Sequence, residues 1–206
     1  MDLSLPRLYP ITDVTLGHRS HAEQIEQIAL GGATLVQVRD KSSSPRDFYE
    51  AALDAATVAR RLGLVLIIND RVDIAVAVGA DGVHLGQDDL PPDRARSLMG
   101  PNRIIGYSTH TLEQAAEATS LPIDYLAFGP VFETSTKENP DTVVGLELLE
   151  KVKKLVSKPV VAIGGITLER AGLAIAAGAD SVAVISDLYS SGDLAGRTRE
   201  FFQRLT

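Results

Sequence analysis

Eight short runs of aliphatic and β-branched residues recur along the chain, separated by stretches of helical periodicity, and this alternation restricts the fold more than any other feature. The runs cover residues 8–11, 35–39, 65–68, 82–85, 104–107, 125–128, 160–163 and 181–185, and helical patterns are clearest over 45–61, 112–119, 146–156 and 168–177. A strand that is regularly followed by a helix can only return parallel to its neighbour. Eight even units of this kind point to an α/β chain folded as a closed (β/α)8 TIM barrel, in a single domain spanning residues 1–206, with an open doubly wound sheet as the alternative. Three segments that lead into strands look alike: Gly31-Gly32-Ala33-Thr34, Gly79-Ala80-Asp81-Gly82 and Gly178-Ala179-Asp180-Ser181. In each, glycine supplies the left-handed residue that ends a helix before the strand begins. Nothing reads as a linker, and the longest connection runs over residues 129–145, after the sixth strand.

Composition narrows the function classes. The net charge of −7 argues against nucleic acid and anionic membrane surfaces as partners, so an anionic substrate would require positive charge to be concentrated locally. The absence of cysteine excludes disulfides, thiolate zinc sites and a cysteine nucleophile. The first residues lack the pattern of a secretion signal, and no apolar run is long enough to span a bilayer, so the chain is expected to be soluble and cytoplasmic, without membrane contact.

In a barrel, chemistry collects at the C-terminal strand ends. The second strand ends Gln37-Val38-Arg39-Asp40-Lys41, and alternation turns Gln37 and Arg39 inward while Val36 and Val38 face the helices. Arg39 either faces an anion or pairs with Asp40 or an acid of a neighbouring strand. The third strand ends Asn69-Asp70, and the fourth runs through His84-Leu85-Gly86-Gln87-Asp88-Asp89. Carboxylates at these adjacent ends serve either as helix caps or, beside Arg and Lys, as ligands of a Mg2+ ion that carries a phosphate. Ser108 can donate to a phosphate oxygen, and His110 is either a base or a helix-start residue. Thr134, Ser135, Thr136 and Lys137 form a phosphate grip or a solvated turn. Finally, Gly164-Gly165 after the seventh strand and Ile185-Ser186 after the eighth occupy the places where barrels often bind phosphate through bare backbone N–H groups.

These segments together, in order from about Leu8 to Ser186, resemble the thiamine phosphate synthase family: Gln37-Val38-Arg39-Asp40-Lys41, Ile68-Asn69-Asp70-Arg71, residues 82–89, Thr134-Ser135-Thr136-Lys137 and Ala162-Ile163-Gly164-Gly165-Ile166. The resemblance implies a transferase on a TIM barrel that uses Mg2+ and joins a hydroxymethylpyrimidine diphosphate to a thiazole (or carboxythiazole) phosphate with release of pyrophosphate. It implies that Gln37, Arg39, Lys41, Asn69, Ser108 and Lys137 hold the pyrimidine diphosphate, with Val38 and Asp40 in the same binding segment, and that Asp70 and Asp89 bind Mg2+. Thr134, Ser135, Thr136, Gly165, Ile185 and Ser186 would hold the thiazole phosphate. Arg39, Lys41, Lys137 and Ser108 would carry catalysis of a dissociative reaction. The partners implied are these two small molecules, and assembly into a homo-oligomer is left open. Two departures stand out: Val38 and Asp40 replace the commoner Leu and Glu, and the acids Glu138 and Asp141 follow the loop-six motif. The related thiazole tautomerases, isomerases on the same fold, and a non-catalytic phosphate-binding barrel are the competing readings.

Overall fold

The computed structural model describes residues 5–134 and 142–206. Eight parallel strands close into a barrel in sequence order, β1 pairing with β8. The strands are β1 (Leu8–Thr12), β2 (Leu35–Val38), β3 (Val65–Asn69), β4 (Gly82–Leu85), β5 (Ile104–Thr109), β6 (Tyr125–Phe128), β7 (Val160–Ala162) and β8 (Ser181–Val184). All eight expected runs are strands, with ends shifted by no more than two residues. Around them lie α2 (His21–Leu30), α3 (Pro45–Leu62), α4 (Val72–Val78), α5 (Pro92–Met99), α6 (Leu112–Ala118), α7 (Gly145–Leu155), α8 (Leu168–Ala176) and α9 (Leu194–Leu205). The sequence reading did not anticipate the one-turn α1 (Val14–Gly17) after β1 or the 3-10 turn Ser186–Tyr189 after β8.

The long α3 shows how local signals set an element. Ser44 caps its first turn by accepting from the Asp47 backbone N–H, Pro45 fits the first helical position, and Gly63 stops it at φ 71°. Phe48, Ala52, Ala55, Ala56 and Ala59 form its buried face. The small residues let the helix sit close to the sheet.

Two apolar layers result from strand alternation. Outward-facing Val36, Val38, Leu66, Ile68, Val83, Leu85, Ile105, Leu126 and Val182 pack under the helices. Inward-facing Tyr9, Leu35, Ile67, Tyr125, Val161 and Ala183 fill the barrel itself. The N-terminal end of the barrel is pinned by a recurring device. Asp81, Asp124 and Asp180, each just before a strand, accept the backbone N–H of Leu66, Ile105 and Val160 on β3, β5 and β7 at 2.7–2.9 Å. The aspartates of the repeated Gly-Ala-Asp segments are therefore structural, and they leave the opposite rim free for a site.

Candidate active site

A cavity of about 480 Å³ opens at the C-terminal ends of the strands. Gln37, Arg39, Lys41, Asn69, Asp70, Asp89, Ser108, Thr134, Gly165, Ile185 and Ser186 all line it. Ser135, Thr136 and Lys137, with Glu138 and Asp141, lie outside the described residues. Val38 and Asp40 do not line the cavity. The Val38 side chain is wholly buried among the outer layer, as its parity on β2 requires. Asp40 builds the turn after β2, accepting the Ser42 and Ser43 N–H groups at 2.9 and 3.0 Å and the Ser43 hydroxyl at 2.6 Å.

The cationic side is assembled by adjacent strands. Arg39 follows β2, and its guanidinium stands 3.7 Å from the carboxylate of Asp13. That carboxylate also caps α1 by accepting from Thr15 and Leu16 N–H, so Arg39 is steadied by an acid of the neighbouring strand end. Lys41 reaches from the next turn to Asp70 and forms an ion pair with it. Asn69 ends β3 and is 7% exposed, and its Nδ2 is buried without a hydrogen-bond partner. A desolvated donor of this kind is costly to leave unmade, and its place in the cavity wall marks where an acceptor belongs.

Neither acid is a helix cap. Asp70 adopts φ 61°, and the cap positions of α4 and α5 are Arg71 and Pro91, neither of which makes a side-chain capping bond. Asp89 turns back to accept the Gly86 N–H at 2.6 Å. Burial, with the Asp70 carboxyl beside it, pushes the Asp89 carboxyl up to about 6. Two acids crowded together favour one cation between them. No group of three or more His, Cys, Asp or Glu able to hold a metal occurs among the described residues. The pair Asp70 and Asp89 is a donor set that Mg2+ would accept, since that ion takes one or two carboxylates and completes its shell with substrate phosphate and water.

Across the barrel, Gly164 and Gly165 follow β7 at φ 87° and 65°. The expectation that Gly-Gly admits a ligand needs refinement. A Cβ on Gly165 would lie 2.3 Å from the Glu133 carbonyl oxygen and 2.9 Å from Phe132, so what comes close is the chain after β6. Val131 and Phe132 N–H groups donate to Ile163 and Gly164 carbonyls, and Arg170 donates to the Gly165 carbonyl at 3.0 Å while stacking on Phe132. Ser186 opens the 3-10 turn after β8. His110 is not the cap of α6, a role taken by Thr111; its ring lies against the Gly129 carbonyl oxygen, with 2.6 Å from Nδ1.

Sequence reasoning missed the polar wall inside the barrel. Tyr9, His84 and Tyr125 line the cavity beside Gln37 and Ser108 and join them in a continuous row of hydrogen bonds. All three occupy inward positions of their strands, so strand parity was the signal that could have found them.

The fold and this rim define an enzyme-type (β/α)8 barrel, with cations and paired carboxylates on the β2–β4 side and a glycine-serine corner on the β7–β8 side. Comparison with known proteins gives the family. The thiamine monophosphate synthase family profile matches residues 8–188. The chain is 46% identical over 195 residues to the thiamine-phosphate synthase of Chloroflexus aurantiacus, covering 94% of this chain and 90% of that one. It is 47% identical over 210 residues to the enzyme of the same name from Koribacter versatilis, covering 98% and 97%. The solved structure of thiamine phosphate pyrophosphorylase from Pyrococcus furiosus superposes with a TM-score of 0.87 at 39% identity, covering 97% and 95%. The chain belongs to the thiamine monophosphate synthase family.

Proposed function

We propose that this barrel condenses a hydroxymethylpyrimidine diphosphate with a thiazole phosphate to give thiamine phosphate and pyrophosphate. The observation that carries this reading is that the candidate anion-binding groups fall on two sides of one cavity. The Arg39, Lys41, Asn69, Asp70 and Asp89 side belongs to β2, β3 and β4, while Gly165 and Ser186 belong to β7 and β8, on the far side of the same cavity. One phosphate-bearing substrate needs a single grip. Two substrates that must meet end to end need two.

In the reaction, the bond between the pyrimidine methylene carbon and the diphosphate oxygen breaks, and its electron pair leaves with pyrophosphate. The thiazole nitrogen then supplies the lone pair for the new carbon–nitrogen bond, and no protein nucleophile is required. Arg39 and Lys41 face the departing diphosphate, where charge develops, and preorganised cations act most strongly at that stage. Asn69 offers its unpaired N–H to the same substrate. Asp70 and Asp89 would hold Mg2+, which supplies charge neutralisation to the diphosphate when bound. Lys41 now compensates Asp70 and would be freed for phosphate once a metal took its place. Apolar Ala127, Val161, Ile163 and Ile185 in the wall keep water from the methylene carbon, which would otherwise be hydrolysed. Ser186 and Gly165 would hold the thiazole phosphate.

The direct test supplies both substrates with Mg2+ and follows thiamine phosphate and pyrophosphate together. Equal amounts of both products, lost in EDTA and restored by Mg2+, are expected. Isomerisation of the thiazole phosphate without condensation would replace this reading with that of a tautomerase.

A further inference from the structure

The row of hydrogen bonds through the barrel interior starts from one fixed donor, Gln37, and the polarity it sets along the row determines what Ser108 can do. Gln37 Nε2 donates to the Tyr9 hydroxyl at 3.0 Å, and the Tyr9 and Tyr125 hydroxyls lie 2.7 Å apart. Tyr125 reaches His84 Nδ1 at 2.9 Å, and His84 Nε2 lies 2.9 Å from Ser108 Oγ. Gln37, Tyr9 and Tyr125 are at most 3% exposed and His84 is 9% exposed, so bulk water does not interrupt the row. The arrangement is built in by Gly106, since a Cβ there would fall 2.3 Å from the Tyr125 hydroxyl and 2.5 Å from His84 Nδ1.

A neutral imidazole has one N–H, and a hydroxyl has one proton. The His84 ring lies in the barrel interior with two hydroxyls and no carboxylate as its hydrogen-bond partners, which suits an uncharged imidazole, and burial raises the pKa of both tyrosines, so the phenols keep their protons. Because Tyr9 accepts a hydrogen bond from Gln37 and its other partner is Tyr125, its own O–H is satisfied only if it is directed to Tyr125. Tyr125 in turn donates to His84 Nδ1, which leaves the imidazole proton on Nε2, pointing at Ser108 Oγ. A serine that already accepts is left with its O–H to donate. The reverse polarity would turn that O–H onto His84 and present a lone pair to the cavity instead.

We infer that Tyr9 and Tyr125 are positioning residues that fix the Nε2–H tautomer of His84 and so hold the Ser108 hydroxyl as a hydrogen-bond donor into the cavity. The benefit of that donor to a leaving diphosphate rests on the function proposed above; the tautomer does not. A donor suits an anionic oxygen, whereas a lone pair facing it would repel the substrate. Neither tyrosine needs to touch the substrate for this effect.

The test begins with the unaltered full-length chain labelled with 15N in its histidines. Two-bond 1H–15N spectra at pH 7.5 report the tautomer of each ring, and the His84→Gln spectrum assigns the signal. His84 is expected as the Nε2–H tautomer, and an Nδ1–H ring would overturn the inference. Tyr125→Phe and Tyr9→Phe remove one oxygen each from otherwise unchanged rings, and either should shift the His84 signals toward a tautomer mixture. In the condensation assay they should lower kcat roughly fivefold to tenfold with little change in KM, the scale of one neutral hydrogen bond. Added to Ser108→Ala, Tyr125→Phe should have almost no further effect on kcat. A full independent loss in the double variant would overturn the positioning role. If no condensation occurs at all, the functional reading fails while the tautomer result still decides this one.

Discussion

Asp70 shows how much chemistry a single backbone angle can carry. Its φ of 61° lies in the left-handed region, which Asn and Asp enter more readily than other residues with a β-carbon. That angle goes with a placement in the cavity, against Lys41 and beside Asp89, rather than over the start of α4. Asp70→Asn keeps both shape and backbone preference and removes only the charge. We expect it to lower condensation by about a hundredfold or more, with a melting temperature within a few degrees of the unaltered chain. A large fall in melting temperature would make Asp70 a folding residue instead. From sequence, Asp70 taken alone reads more readily as a helix cap than as a ligand, because both roles place an acid between a strand and a helix and only its neighbours point to a ligand. The same limit hid Asp13. Its partnership with Arg39 depends on β1 and β2 being neighbours, and no local pattern states that.

At the level of elements, the strands were legible because hydrophobic period and glycine punctuation agree, as at Gly82–Leu85 and Tyr125–Phe128, where expected and observed bounds coincide. The short α1 and the 3-10 turn were not, since one turn of helix has no periodicity to read. The glycine corner after β7 was found, but its packing reason was not: Gly165 is required by the chain after β6. This joint links the two ends of the cavity, because the same chain continues into Thr134. Gly165→Ala adds a carbon that collides with the Glu133 carbonyl oxygen at a positive φ. It should destabilise the chain by about 1–3 kcal/mol and weaken thiazole phosphate binding in calorimetry more than pyrimidine diphosphate binding. Equal losses for both ligands would show that the two sides of the rim are not separate sites.

For the molecule as a whole, the polar barrel interior has a consequence for acid stability. His84 is pushed down to about 4 by burial, and His21, 1% exposed, is lowered by burial as well. An imidazole in the unfolded chain titrates near 6.5. Between about pH 6.5 and 4 the unfolded chain therefore binds protons that the folded chain refuses, so stability is full above this window and falls as the pH drops through it. For His84 alone the loss at the acid end is on the order of 3 kcal/mol. Asp89, raised to about 6, works in the opposite sense, since its unfolded carboxyl gives up its proton at lower pH. The check is therefore a difference: in urea unfolding at pH 7.5, 6 and 5, His84→Gln should lose less stability on acidification than the unaltered chain. Identical pH dependence would mean that His84 is not held uncharged in the interior.

In the function proposed above, one barrel rim carries two anion sites with different tasks, the β2–β4 side driving departure of pyrophosphate and the β7–β8 side holding the acceptor. Lys41 offers the most direct test, because it stands on the first side only and is exposed enough to be removed without a cavity in the core. The measurement is Lys41→Ala in Mg2+ with both substrates, comparing the rate of thiamine phosphate formation with the Kd for thiazole phosphate. A loss of about a hundredfold or more in rate with a nearly unchanged Kd is expected. A rate equal to that of the unaltered chain, or a Kd that weakens in step with the rate, would contradict the division of the rim.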